Sequence, residues 1–301
     1  MKLCKPSFEI WEQSAGLEGV YKQIEKVGRV CYKSEDKITE DSAKPFVDRM
    51  IKSGHGAMLE HGTVYLQHET VKSAINPLTK YYLNKYSKVK AKEGATEETM
   101  RLFVTTNLRV LVENDWLKDL EYICKPTEFH ERRVTVHFVC DRGVSHEFVR
   151  HRVMSFAQES TRYCNYSKDK FGNELTFIKP CWLDIPTGQY VYWDGDWCDI
   201  NKMKIQLPEG EHKGVDAFLW TLNNAETHYT LLINSGWKPQ EARAILPNSL
   251  KTELVITGFT SDWNHFFGLR AIGTTGAPHP QAKELAEPLM KEFIARKYIN
   301  N

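Results

Sequence analysis

RHRVMSFAQESTRY, residues 150–163, sets three arginines and a histidine among Val153, Met154, Phe156 and Tyr163. Taking a guanidinium out of water without a partner costs several kcal/mol. The stretch therefore lies on the surface or faces a bound anion. Arg150 and Arg152, like Ser160 and Arg162, stand two positions apart, so each pair shares a face only where the chain is extended or irregular. A loop wrapped round an anion meets that condition, because arginine forks match phosphate oxygens and Ser160 adds a hydroxyl donor. The combination suits a phosphomonoester. Two other readings of the same residues stay open: arginines paired with Glu147, Glu159 or other carboxylates in an interface, and a basic RNA-contacting patch.

The rest of the chain is ordinary for a globular protein. Its 301 residues are 41% hydrophobic, enough to bury a full core in one large or two small domains. Forty basic and thirty-nine acidic side chains leave a net charge of +1, so no overall field would hold it on nucleic acid or an anionic membrane. Any anion site has to be local. The opening MKLCKPSFEIWEQ lacks a signal-peptide core and no stretch approaches the ~20 apolar residues of a membrane span, which predicts a cytoplasmic protein. The seven cysteines, at 4, 31, 124, 140, 164, 181 and 198, are odd in number and unpaired in spacing, a pattern of reduced thiols rather than disulfides or zinc ligands. His146 and His151 are five apart and His55 and His61 six. Neither pair has the i, i+4 spacing of a helical metal site, and no metal is expected.

Leu17, Val20, Ile24 and Val27 predict a first helix, ended by Gly28; Phe46, Val47, Met50 and Ile51 predict a second that begins near Pro45 and stops at Gly54, just before His55. Residues 63–68, 104–112 and 133–140 alternate or run β-branched and read as strands of one antiparallel sheet. Asn114 or Asp115 is positioned to cap the short helix between the last two, and the charged stretch 88–99 reads as an exposed loop. A turn at Gly143 then leads into a helix capped by Ser145, so the 150–163 stretch begins at a helix C-terminus. Residues 183–213 form a long aromatic and acidic excursion. Helices follow from Val215 to Ser235, from near Pro239 with Arg243, around Phe266 to Arg270, and from Pro280 to about Arg296.

Arg150-His151-Arg152, seven residues, Ser160, then Arg162-Tyr163 resembles the signature of the flavin-dependent thymidylate synthases. The likeness extends to Gly54-His55 with Glu60-His61, to Ala242-Arg243 before Ile245-Leu246-Pro247, to Leu269-Arg270 and to His279-Pro280-Gln281. It implies an α+β fold, a single domain over 1–301, and helices flanking an antiparallel or mixed sheet. Residues 69–130 and 183–213 would be insertions without an assigned role. The implied reaction is reductive methylation of dUMP to dTMP, with FAD as flavin and NADPH and 5,10-methylenetetrahydrofolate as co-substrates. The implied assembly is a homotetramer with active sites between subunits, without nucleic-acid or membrane partners.

By position, the resemblance assigns dUMP to Glu147, Arg150, Gln158, Glu159, Ser160, Thr161, Arg162, Arg243 and Arg270. FAD falls to His55, Ala57, Glu60, Arg150, His151, Arg152, Gln158 and His265. Arg270, placed at the uracil ring, and His55 take the catalytic roles. This chain departs from the family where it has Ala157-Gln158 for a frequent Asn-Glu, Glu147 for a glutamine, Ala57 for a common threonine, and five extra residues between Arg270 and His279. The division of labour is chemically coherent. An sp² uracil carbon is a poor nucleophile until the ring gains negative charge, and a guanidinium fixed where that charge develops lowers the barrier. The alternative is a non-catalytic nucleotide- or RNA-binding protein that uses the same arginines.

Overall fold

A computed structural model of the chain describes residues 1–206 and 212–300. The strands in chain order are β1 (Lys2–Cys4), β2 (Ser7–Trp11), β3 (Thr63–Val71), β4 (Lys88–Glu93), β5 (Thr99–Asn107), β6 (Arg133–Asp141), β7 (Ser155–Gln158), β8 (Thr176–Ile178), β9 (Gly188–Gln189), β10 (Val191–Trp193), β11 (Asp196–Cys198) and β12 (Lys251–Phe259). The helices are α1 (Gly16–Tyr32), α2 (Ala43–Lys52), α3 (Gly56–Leu59), α4 (Leu108–Glu113), α5 (Arg142–Phe148), α6 (His212–Asn234), α7 (Pro239–Ala242), α8 (Thr260–Phe267) and α9 (Pro280–Ala295). The architecture is mixed α+β with several small sheets.

The central sheet has the order β2–β6–β12–β7 and is antiparallel throughout. Alternation along its strands separates two apolar faces. Val136, Phe138, Leu254 and Ile256 face one way, onto Trp263 and Phe266 of α8 and Leu285, Leu289 and Phe293 of α9. Val255 and Ala157 face the other, onto Val27 and Val30 of α1. The second sheet, β3–β5–β4, packs Val64, Leu66, Leu102 and Val104 against Val20 and Ile24 of α1 and Phe46 and Val47 of α2. In the third, β1 pairs parallel with β8 and antiparallel with β9, and its Leu3 and Phe177 join Leu219 and Leu222 of α6 in a separate core.

The strands at 63–71 and 133–141 belong to different sheets, because partners far apart in sequence leave no mark on either strand's own alternation. The apolar run 104–112 divides at Asn107, whose side-chain oxygen accepts the Val110 N–H and starts α4. Asn114 and Asp115 sit at that helix's C-terminal end, Asp115 with φ 58. The charged stretch 88–99 contains β4, an exposed edge strand held by its ladder to β5 rather than by burial. Its lysines discourage a further strand from pairing there.

Gly28 does not end α1, which runs on to Tyr32 and closes at Lys33 in the left-handed conformation. Its hydrogen side chain serves packing, since a Cβ would lie 2.5 Å from the Phe46 ring. Asp141, not Ser145, caps α5, its carboxylate accepting the Val144 N–H at 2.8 Å. Ser145 is buried within the helix and donates to the Arg142 carbonyl. The excursion 183–213 supplies β9 and the β10–β11 hairpin, with residues 207–211 outside the described part.

Trp263 joins the central sheet to α8 and α9: it is fully buried and its indole N–H donates to the Val134 carbonyl at 3.2 Å. Trp263→Ala should therefore cost about 3–5 kcal/mol in urea unfolding. A loss below about 1 kcal/mol would contradict the central place of this side chain.

Candidate functional site

The 158–163 segment leaves β7 and is tied down at both flanks. The Glu159 N–H donates to the Glu253 carbonyl at 2.8 Å, and the Ser160 N–H donates to the Cys31 carbonyl at 3.0 Å. Beyond them the chain turns tightly, with the Tyr163 and Cys164 amides donating to the Ser160 carbonyl. Arg162 is exposed and its Nε donates to Gln240 Oε1 at 3.2 Å; the Arg243 Nη1 donates to the Thr161 hydroxyl at 3.3 Å. Two segments 80 residues apart thus place Ser160, Thr161, Arg162 and Arg243 on one wall. Neither arginine has a carboxylate partner among the described residues, nor do Arg150 and Arg152, both exposed. Within the chain, none of these four pairs with Glu147 or Glu159 among the described residues.

Glu159 has another place. Its side chain is buried, accepting from Tyr166 Oη at 2.8 Å and Lys251 Nζ at 3.1 Å. Lys251 also reaches Glu253 at 2.7 Å, and Glu253 in turn bonds His137 at 2.9 Å and pairs with Lys33. Burial by itself would lower the Lys251 pKa, but Glu159 and Glu253 outweigh it and the ammonium is held charged well above its usual range. Burial likewise works to raise the Glu253 carboxyl, and the His137 bond with the two lysines overrides it, driving the pKa far down. This charged network pins the base of the loop to α1 and β12. Lys251 and Glu253 are two apart on a strand, the one sequence signal that they share a face.

A second group forms where α5 ends. Arg270 lies on a π-helical turn, Gly268–Ile272, which continues α8 and ends at Gly273 with φ 82. Such turns re-aim a side chain relative to the preceding helix. The Arg270 Nη2 donates to the Glu147 carbonyl at 2.9 Å, satisfying part of the α5 C-terminus, and Nη1 pairs with the Glu147 carboxylate. Nε donates to His151 Nε2 at 3.0 Å. Burial first, then the Arg270 and His265 charges, hold the His151 pKa down to about 4. The ring is therefore neutral, and because Nε2 accepts, Nδ1 carries the hydrogen; that atom is buried with no partner among the described residues. His265, exposed, lies edge-on with ring centroids 5.8 Å apart. Gln158 bridges the two groups, donating to Ser145 of α5 at 2.8 Å and to Thr252 of β12 at 3.2 Å.

His55 and Ala57 are exposed at the α2–α3 turn. His55 borders a cavity of about 790 Å3 that Tyr163, Tyr32, Arg29, Arg49 and Lys170 also line. Glu60 is paired with Arg109 of α4 and faces a smaller pocket containing Val153, Ser155 and Asp262. Among the described residues no side-chain hydrogen-bond partner is shared between Arg270 and either Arg162 or Arg243. Lys33, Arg109, Gln240, Lys251 and Glu253 escaped the sequence reading, being unremarkable until distant segments meet. Among the described residues no group of three or more His, Cys, Asp or Glu side chains is placed to hold a metal.

The model of the family described as thymidylate synthase complementing protein matches residues 91–296. The flavin-dependent thymidylate synthase of Pyrococcus furiosus is 30% identical over 160 residues, covering 53% of this chain and 53% of that one. That of Corynebacterium aurimucosum is 22% identical over 284 residues, covering 93% of this chain and 78% of its own. The chain spans about half the length of the Pyrococcus relative. Among solved structures, a UMP/dUMP methylase, PolB of Streptomyces cacaoi, bound with 5-Br dUMP, is 17% identical with a TM-score of 0.44, covering 98% of this chain and 93% of that one.

Lys251→Met would leave the Glu159 carboxylate buried beside a single neutral donor, and urea unfolding should show a loss of about 3–5 kcal/mol. Lys251→Arg should retain most of that stability; equal losses in both variants would contradict a charge-pairing role. The buried imidazoles set a pH dependence. His61, bonded through Nδ1 to the Thr257 hydroxyl at 2.7 Å, has its pKa lowered from 6.5 to about 3 by burial first and the Arg133 charge second. The unfolded chain binds a proton below about pH 6.5 that the native ring refuses, so this stability is complete above that pH and declines as the pH falls toward 3. The wild type should lose ~1.4 kcal/mol per pH unit more than His61→Gln between about pH 6 and 4. Parallel pH profiles for the two proteins would contradict it.

Proposed function

The chain belongs to the thymidylate synthase complementing protein family, and from that premise we propose that it is a flavin-dependent thymidylate synthase. It methylates dUMP to dTMP with 5,10-methylenetetrahydrofolate as carbon donor, FAD as flavin and NADPH as reductant. We read residues 1–301 as one domain of the flavin-dependent thymidylate synthase fold. The protein acts in the cytoplasm as a homotetramer whose active sites lie between subunits. The observation that carries the reading is the shared wall of Ser160, Thr161, Arg162 and Arg243, in which two exposed guanidiniums and two hydroxyls lie together with no carboxylate among the described residues paired to either arginine.

On this reading the wall, with Arg150, takes the phosphate and sugar of dUMP, and Gln158 borders it. Glu159 contributes its backbone, since its carboxylate is committed to Lys251 and Tyr166. Arg270 faces the pyrimidine, where a fixed positive charge stabilises negative charge developing on the ring. The residues fit a flavin dinucleotide in two respects. The Nδ1–H of His151, buried with no partner among the described residues, is a donor in want of an acceptor, and the cavity beside His55 has the volume of a cofactor site with cations for phosphates. His55, Ala57, Glu60, Arg150, His151, Arg152, Gln158 and His265 would hold it. FAD, when bound, supplies hydride and one-carbon transfer; the protein binds, orients and excludes water.

Formation of dTMP should require dUMP, FAD, reductant and methylenetetrahydrofolate together, and omission of any one should abolish it. No product with all four present would overturn the assignment. Each charge-assisted phosphate contact nets ~1.5–3 kcal/mol, so Arg162→Ala should raise the Kd for dUMP by about one to two orders of magnitude while FAD stays bound. Equal loss of both ligands would contradict the division of roles.

A further inference from the structure

Arg270 is engaged by its own chain through all three of its nitrogens. Nε donates to His151 Nε2 at 3.0 Å, Nη2 to the Glu147 carbonyl at 2.9 Å, and Nη1 meets the Glu147 carboxylate. Two of these acceptors cannot move away without unfolding something. The carbonyl belongs to the last turn of α5. The His151 ring is 3% exposed and packed against Phe266 at a centroid distance of 4.9 Å. The third acceptor is different: the Glu147 carboxylate ends a flexible stem, and its side chain is 31% exposed against 17% for Arg270. Among the described residues no other basic side chain pairs with Glu147, and no other acidic side chain pairs with Arg270.

A guanidinium already neutralised by a carboxylate attracts a second negative charge weakly, since the field of the pair falls off much faster than that of a lone cation. We propose that Glu147 is a displaceable counter-ion, whose carboxylate occupies the Arg270 N–H that the pyrimidine of dUMP takes and swings aside when the nucleotide binds. The inference rests on the dUMP reading above. His151 and the α5 carbonyl keep the guanidinium in place during the exchange, so the carboxylate leaves alone and Arg270 does not follow it. In the resting protein the counter-ion keeps adventitious anions off Arg270. The pyrimidine then has to compete, and dUMP affinity is lower than the remaining contacts would give.

The test is a titration of the FAD-loaded protein with dUMP, followed by the flavin spectrum or by calorimetry, for the wild type, Glu147→Gln and Glu147→Asp. A partly exposed ion pair is worth ~0.2–1 kcal/mol, so removing the competing charge should lower the Kd of Glu147→Gln by a factor of about 1.4 to 5. Glu147→Asp, one methylene shorter, should weaken the pair and give an intermediate Kd, which keeps the test available should the amide variant fail to fold. An unchanged or higher Kd in the variants overturns the counter-ion and makes Glu147 a support for Arg270 or a direct nucleotide contact. Wild-type protein that binds no dUMP overturns the functional reading, and the counter-ion with it; wild-type binding with unimproved variants overturns the counter-ion alone.

Discussion

The antiparallel pairing of β6 with β12, unbroken from Asp141 opposite Lys251 to Arg133 opposite Phe259, is the constraint on which the rest of the molecule depends. Because the strands are antiparallel, the end of β6 and the beginning of β12 lie together. That end of the sheet launches α5 and the 150–163 stretch, and it carries Lys251 and Glu253. β7 adds to the far edge of β12 with Gln158 opposite Leu254, so the loop bearing Ser160 and Arg162 emerges at the same end. A slip of one residue in this register would turn Leu254 and Ile256 out of the core and Lys251 and Glu253 to the opposite face. The hydrophobic pattern and the buried charge network select one alignment between them.

Charge is handled differently at the base of the loop and at its tip. Below, Lys251, Glu159, Glu253, Lys33 and His137 are mutually paired and largely buried, an arrangement that fixes geometry and leaves no net field to offer. Above, Arg162 and Arg243 point to neutral partners and keep their charge available. Arg270 stands between these cases: it is paired, but with a carboxylate more exposed than itself. A chain with a net charge of only +1 can therefore still present a concentrated local attraction for a phosphate, because the compensating carboxylates are held elsewhere.

Much of this was legible along the chain. The helical stripes of α1, α2 and α6 follow their apolar spacing, and the left-handed glycines at 54 and 236 mark where helices stop. Gly28 and Ser145 misled, each a residue with two possible uses: glycine as terminator or as close-packing surface, serine as cap or as buried donor. Which use applies depends on what stands opposite, Phe46 in one instance and Gln158 in the other.

The sequence by itself determined the cationic motif of 150–163 and the apolar stripes of the main helices, because residue type and periodicity are local properties. Only the tertiary structure decided that the strands divide between separate sheets, that Arg243 and Gln240 stand beside Thr161 and Arg162, and that Glu159 turns inward to Lys251 while Glu147 reaches Arg270. Those outcomes rest on contacts between residues about 80 to more than 120 positions apart. Such contacts form only once the cores have closed, and neither partner's neighbours in the chain carry any trace of them.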